Sequence, residues 1–330
     1  MNTWLIVGSL AVGIIVGLTG MGGGALMTPM LVLLFGINPL TAVSSDLVAA
    51  AVMKPFGSFV HLRRGTVNLK LVGYLCVGSV PAAFCGVLVL KSFGGSAQVQ
   101  NGIKIGMGIA ILLTAILLMV RAYMRLVERA KTRDGLGEPL PQERPEVRVR
   151  PLLTILLGAA GGLLVGMTSV GSGSLIIIGL MLVYPGLKAS QLVGTDLVQA
   201  VPLVASAALG HILFGDFSLA VSLPIIIGGI PGALIGAHLS ARLPGGVIRR
   251  ALAFVLLASG LKLLNVSNEA TAYILLAAVV AAPLVWMLLR KRHGFPALAS
   301  SEPRSARESR GLTSWRGADR IDGTSSAGNA

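Results

Sequence analysis

The chain alternates between long apolar runs and short polar breaks. The runs cover roughly residues 3–35, 40–62, 68–90, 99–120, 152–187, 189–214, 217–241, 247–265 and 270–289. Most have the length of about 20 residues that carries a helix across a bilayer, and none shows the short alternating segments of a barrel strand. The pattern predicts an all-α polytopic membrane protein. Residues 121–150 break the series with eight Lys/Arg, five Asp/Glu and three prolines, Pro139, Pro141 and Pro145. They read as a linker, and the Ser-, Arg- and Gly-rich tail after His293 reads as disordered, with little to bury.

Two runs do not fit one crossing. A straight helix over 3–35 would be about 50 Å long, against a hydrocarbon core of about 30 Å. Residues 152–187 are similar. Each run carries a glycine break, "GMGGG" at Gly20–Gly24 and "VGSGS" at Val170–Ser174. Glycine is the poorest ordinary helix former after proline. Each segment is therefore either one tilted, broken crossing or a hairpin of two half-helices that returns to its own side.

The two parts of the chain repeat one another. At an offset of 150, Asp46, Leu47, Val48, Ala50, His61, Gly65, Gly78, Pro81 and Gly86 match Asp196, Leu197, Val198, Ala200, His211, Gly215, Gly228, Pro231 and Gly236. At 149, Gly17, Thr19, Gly22, Gly24 and Leu26 match Gly166, Thr168, Gly171, Gly173 and Leu175. Apolar composition raises chance matches but does not align Asp, His, Gly and Pro together. The expected organisation is a first membrane repeat (1–120), a cytoplasmic linker (121–150), a second repeat (151–265), an extra C-terminal transmembrane helix (266–293) and a disordered cytoplasmic tail (294–330).

Charge settles the expected topology. The net charge of +14 sits in loops and tails, which reads as membrane orientation rather than nucleic-acid binding. Arg63, Arg64 and Lys70, the linker, Arg242, Arg249 and Arg250, and Arg290–Arg292 fall in the cytoplasm. The loop at Gly215 carries Asp216 and no Lys or Arg, so it falls outside. This works if both glycine-broken runs are re-entrant. The N-terminus is then outside, the C-terminus is cytoplasmic, and the repeats are inverted, a recurrent build of secondary transporters. The N-terminus lacks the basic region of a secretory signal and is expected to be retained. Cys76 and Cys85 are about 13 Å apart along one helix, too far for a disulfide, and read as packing residues.

The candidate chemistry lies at the breaks. A half-helix that begins inside the membrane presents unpaired N–H groups and a partial positive charge, which favours an anion. Gly20, Gly22, Gly23, Gly24 and Thr19, with Gly171, Gly173, Thr168, Ser169, Ser172 and Ser174, are the candidate anion-binding residues. Thr28 is a further hydroxyl near the first break. Close helix packing of the small-xxx-small kind is the plain alternative. Lys54 lies mid-run, eight residues after Asp46. It reads as a substrate attractor or as the partner of a residue such as Asp196. Asp46, Asp196, His61 and His211 are the candidates for ion coupling. The aspartates read equally as helix-start caps, and the histidines as interfacial structural residues. Gly78, Pro81, Gly86 and their repeat mates read as hinges or as static kinks.

"GLTGMGGGALMTPMLVLLFGINPLTAV", "HLRRGTV" and "GSVPAAFCG", with "GMTSVGSGSLIIIGLMLVY", "VGTDLVQAVPL", "GHILFGD" and "GGIPGALIG" in the second half, resemble the TauE/SafE family over about residues 5–265. The resemblance implies transport of small anions, sulfite, sulfoacetate and other organosulfonates, across the bacterial inner membrane. Many family members have a small polar or apolar residue where Asp46 and Asp196 stand, and this chain resembles a subgroup with "TDL" in both halves, with Ser45 in place of the first Thr. The expected function is a secondary anion transporter whose partners are its anion and the lipid bilayer. No nucleic acid, cofactor or metal is expected, and a homo-oligomer is left open. The alternatives are an anion or small-solute channel and a membrane subunit that recruits a partner. The absence of a clustered catalytic constellation argues against an intramembrane enzyme.

Overall fold

The computed structural model describes residues 2–19, 23–63, 65–92, 97–133, 149–187, 189–240 and 245–293. Among these residues the chain forms eleven helices and no strand: α1 (Thr3–Thr19), α2 (Gly24–Leu33), α3 (Pro39–Arg63), α4 (Leu69–Ser92), α5 (Ala97–Arg133), α6 (Pro151–Thr168), α7 (Ser172–Val183), α8 (Ala189–Phe214), α9 (Leu219–Ser240), α10 (Gly245–Leu263) and α11 (Asn268–Arg292). Seven of them, α3, α4, α5, α6, α8, α9 and α11, are long and apolar enough to cross a membrane. The run 3–35 is split into α1 and α2, the run 152–187 into α6 and α7, and every other run is one helix. α5 continues as helix to Arg133, well into the charged segment. The predicted tail, 294–330, lies outside the described residues.

The chain divides into two compact units, Met1–Tyr123 with Pro139–Leu276, and Met124–Glu138 with Ala277–Ala330. In the second, α11 ends on Arg290, Lys291 and Arg292, and the His293 ring bonds the Leu289 carbonyl at 2.9 Å.

Glycine stripes organise the first unit. On α9, a Cβ placed at Gly228, Gly232 or Gly236 would stand 2.1–2.3 Å from the carbonyl oxygens of Ile6, Leu10 and Ile14 on α1. On α6, one placed at Gly158, Gly162 or Gly166 would stand 2.2–2.4 Å from those of Leu75, Ser79 and Ala83 on α4. Both pairs rise in register, so each is parallel. Spacing of four puts these glycines on one face, and the bare face lets two backbones approach closely. Gly78, Gly86, Gly228 and Gly236 are thus contact surfaces, and α4 and α9 remain helical through Pro81 and Pro231.

The sequence-matched helices α3 and α8 run antiparallel. Ser44 near the start of α3 meets His211 near the end of α8 at 2.8 Å, and Ser58 further along α3 meets the Leu197 carbonyl at 2.8 Å. α6 and α7 fold back on one another: Gly161 faces Ile176 and Leu175, and Gly179 faces Leu157. α1 and α2 meet through Gly8, which faces Met30 and Phe35. α2 is buried continuously from Ala25 to Leu31. Ten residues rise about 15 Å, too little to cross, and the short helix is enclosed by protein as broken backbone at membrane depth requires.

Gly166→Ala should cost about 1–3 kcal/mol by overpacking the α4–α6 contact. Gly73→Ala, where nothing lies within 4 Å of the new Cβ, should leave stability unchanged or raise it. Thermal unfolding of the detergent-solubilised protein compares the two.

Candidate functional site

The second break is built in three residues. Ser169 ends α6 in the left-handed conformation, φ 59°, with its N–H on the Val165 carbonyl at 2.8 Å. Val170 is outside both helices and fully buried, held by Thr168, whose hydroxyl accepts the Val170 N–H at 3.2 Å and donates to the Leu164 carbonyl at 2.7 Å. Gly171 has φ 112°, which only glycine adopts without strain, and α7 starts at Ser172. The Ser172 and Ser174 side chains and that of Thr19 lie outside the described residues, as do Gly20 and Gly22 entirely. Gly23 and Gly24 open α2, and Gly173 lies in the first turn of α7. Neither α2 nor α7 has a side-chain hydrogen bond capping its N-terminus.

The two breaks meet. A Cβ at Gly24 would stand 1.9 Å from the Ser169 carbonyl oxygen, so only glycine fits there. Among the described residues nothing lies within 4 Å of a Cβ at Gly23 or Gly171. The glycines of the breaks therefore divide into a contact glycine and glycines that face open space.

Asp46 ties the second break to the first half of the chain. Its Oδ2 accepts Thr28 Oγ1–H of α2 at 2.6 Å and Ser169 Oγ–H at 2.8 Å, in a site only 2% exposed. Charge-assisted bonds of this kind are about twice as strong as neutral ones. Asp46 and Asp196 each stand seven residues inside their helices, so neither is a helix-start cap. Holding the helix starts falls to the residues before them. The Ser45 hydroxyl accepts the Ser218 N–H at 3.2 Å ahead of α9, and the Thr195 hydroxyl accepts the Asn68 N–H at 3.1 Å ahead of α4.

Asp196 has a different setting. It is 3% exposed, and its Oδ1 has no hydrogen-bond partner among the described residues. One turn on, Gln199 is fully buried; its Oε1 accepts Ser79 Oγ–H at 3.1 Å, and its Nε2, beside Asp196, closes no full hydrogen bond among the described residues. Lys54, half-buried on α3, acts electrostatically on Asp196 first and Asp46 second. Arg121 of α5 also acts on Asp196.

The histidines stand apart from this group. The His211 Nε2–H donates to the Gly166 carbonyl at 2.8 Å, which leaves Nδ1 to accept Ser44 Oγ–H at 2.8 Å. Ser44 Oγ in turn accepts the Asp216 N–H at 3.3 Å. Both ring nitrogens of His211 thus join α8 to α6 and α3. The His61 ring meets Thr66 Oγ1 at 3.0 Å at the far end of α3. Cys76 and Cys85 are free thiols, and among the described residues no three His, Cys, Asp or Glu are placed to hold a metal ion.

Gln199, Ser79 and Ser44 were not singled out from the sequence. The signal was present: Gln199 is a polar interruption in the middle of its apolar run and lies on the same helical face as Asp196, three residues on.

Glycine-striped helices closely packed around two broken ones, with paired polar groups inside an apolar body, define a polytopic helical membrane protein of the transporter class. The chain belongs to the sulfite exporter TauE/SafE family, whose profile matches residues 5–263. It is 40% identical over 265 residues, 80% of this chain and 100% of the relative, to Probable membrane transporter protein YjnA of Bacillus subtilis. It is 30% identical over 256 residues, 76% of this chain and 96% of the relative, to Probable membrane transporter protein YdhB of the same organism, and 23% identical over 273 residues, 79% and 96%, to YunE. No solved structure matches the chain. The family is one of transporters and not of enzymes.

Replacing both hydroxyls, as Thr28→Val with Ser169→Ala, should destabilise the protein by about 3 kcal/mol or more, because a buried carboxylate loses two charge-assisted donors. Asp46→Asn keeps an acceptor there and should cost less. Chemical or thermal unfolding in detergent ranks the two.

Proposed function

We propose that the protein is a secondary transporter of small anions, sulfite, organosulfonates or related organic anions, across the bacterial inner membrane. The anion binds where the two glycine breaks meet, at the N-termini of α2 and α7. The meeting of the breaks carries this reading: Gly24 lies against Ser169, while Gly23 and Gly171 face open space. Two helix N-termini without side-chain caps offer backbone N–H donors and partial positive charge to an anion. Thr19, Ser172 and Ser174 supply hydroxyls to it, Gly20, Gly22 and Gly173 let the backbone approach it, and Lys54 adds attraction, while the Thr168 and Ser169 hydroxyls donate to the Leu164 carbonyl and to Asp46 and hold the turn in shape.

The chain is read as two inverted repeats, each a re-entrant hairpin followed by three crossings, with α11 as an extra crossing. The antiparallel pairing of α3 with its sequence mate α8 supports inversion. The parallel pairing of α1 with α9, and of α6 with α4, is consistent with the two hairpins entering from opposite faces, and the Lys/Arg distribution then favours an N-terminus outside and a linker and C-terminus in the cytoplasm. α6 is long enough to cross by itself, but the fold-back of α7 along it favours the hairpin.

Saturable, gradient-driven accumulation of radiolabelled sulfite in proteoliposomes tests the transporter against a channel, which would only equilibrate it. Gly23 has φ −73° and open space, so Gly23→Leu should fold. It should lower transport by about tenfold or more, the loss of about 1.4 kcal/mol of site affinity, while Gly73→Leu on α4 should not. Equal tolerance of the two returns the break to packing. For topology, a single cysteine at Asp216 in a Cys76- and Cys85-free background should react with an impermeant maleimide from outside the cell, and one at Gly65 should not.

A further inference from the structure

We infer that Asp196 carries a proton together with the transported anion, and that Asp46, its sequence counterpart, is a fixed strut that does not. This rests on the anion-transport reading above. The two carboxylates are equivalent in the repeat and unlike in the fold. Asp46 accepts two hydroxyl donors on one oxygen, which join α2, α3 and the second break. Asp196 has no such hydroxyl donors among the described residues: the repeat places Ile177 where Thr28 stands, and Asp196 Oδ1 is buried with no partner there. Its side-chain amide neighbour is Gln199, whose Nε2 closes no full hydrogen bond among the described residues. A buried acceptor with no donor is costly, and an added proton removes that cost.

The charged groups around Asp196 show why a proton should accompany an anion. Lys54 faces it from α3 and Arg121 from α5. Neither α6 nor α7 carries an ionisable residue. On α4, Lys70 and Tyr74 are exposed, Lys91 stacks on the Phe214 ring at the other end, and Cys76 and Cys85 are free thiols. On α3, Asp46 acts on Lys54, His61 bonds Thr66, and the Arg63 guanidinium lies over the Phe59 ring. Among the described residues, two carboxylates, Asp46 and Asp196, stand in electrostatic range of two cations, Lys54 and Arg121. A monovalent anion entering alone would leave one uncompensated negative charge inside the protein, which is expensive at membrane depth.

The step is balanced as follows. As the anion approaches Lys54, the Asp196 carboxylate takes one proton from the aqueous phase on that side, forming an O–H bond at Oδ1. When the anion leaves, that bond breaks, the proton passes to the opposite aqueous phase, and the carboxylate faces Lys54 again. One proton travels with one monovalent anion in the same direction, and the net charge of the group stays at zero.

The full-length protein in proteoliposomes tests this with radiolabelled sulfite at an acidic pH where the singly charged hydrogensulfite predominates, by uptake under an inward proton gradient and by counterflow without one. The gradient should accelerate wild-type uptake. Asp196→Asn should lose that acceleration, and Asp196→Glu and Asp46→Asn should keep it. Acceleration that persists in Asp196→Asn overturns the proposal. Should the wild type neither accumulate nor exchange sulfite, the anion reading fails for this probe, and the proton site is judged separately by infrared spectroscopy of the solubilised protein. There the wild type should show a protonated-carboxyl C=O band that grows as pH falls, absent in Asp196→Asn and present in Asp196→Glu. A band unchanged in Asp196→Asn overturns the assignment without reference to any anion.

Discussion

Backbone carbonyls pressed against bare helix faces hold this protein together. In an apolar membrane every N–H and C=O must find a partner inside the protein, and a helix broken at depth exposes several. The chain meets this constraint by wrapping its two broken runs closely. α1 lies along α9, and α6 lies along α4, each through a stripe of glycines spaced by four. A side chain at any of these positions would push the helix pairs apart and open the breaks they enclose. The continuous burial of α2 from Ala25 to Leu31 follows from this packing.

The same packing explains why a repeated sequence does unequal work. The residue pairs Ser45–Asp46 and Thr195–Asp196 occupy equivalent places on α3 and α8. The hydroxyls act alike, each holding the N–H that precedes a helix of the other half, at Ser218 and at Asn68. The carboxylates act differently because their surroundings differ by a few side chains. Thr28 and Ser169 satisfy Asp46; around Asp196 stand Lys54, Arg121 and Gln199. Lys54 has Val204 as its repeat mate, so charge balance inside the protein is one-sided even where the helices are paired. His211 shows the other use of a buried ionisable group, with both nitrogens consumed in joining α8 to α6 and α3.

The family match ends at residue 263, the last residue of α10. α11, with its run of Arg290, Lys291 and Arg292, lies beyond the matched residues.

The pattern of apolar runs by itself determined the helical class, the membrane setting and most helix bounds, because a bilayer imposes length and hydropathy on each segment separately. The 40–62 run became α3 at Pro39–Arg63, and the two over-long runs broke at their glycines. The family was legible for the same reason, since its motifs are local strings. Charge and spacing on a single helix could not say which glycines touch backbone and which face space, nor that Asp46 reaches Ser169 across 123 positions while Asp196 keeps an unpartnered oxygen. Those outcomes depend on how α3 and α8 cross and on which helix of one half lies along which helix of the other. Long-range partners are set by packing, and one sequence position carries no trace of the neighbour that packing will bring to it.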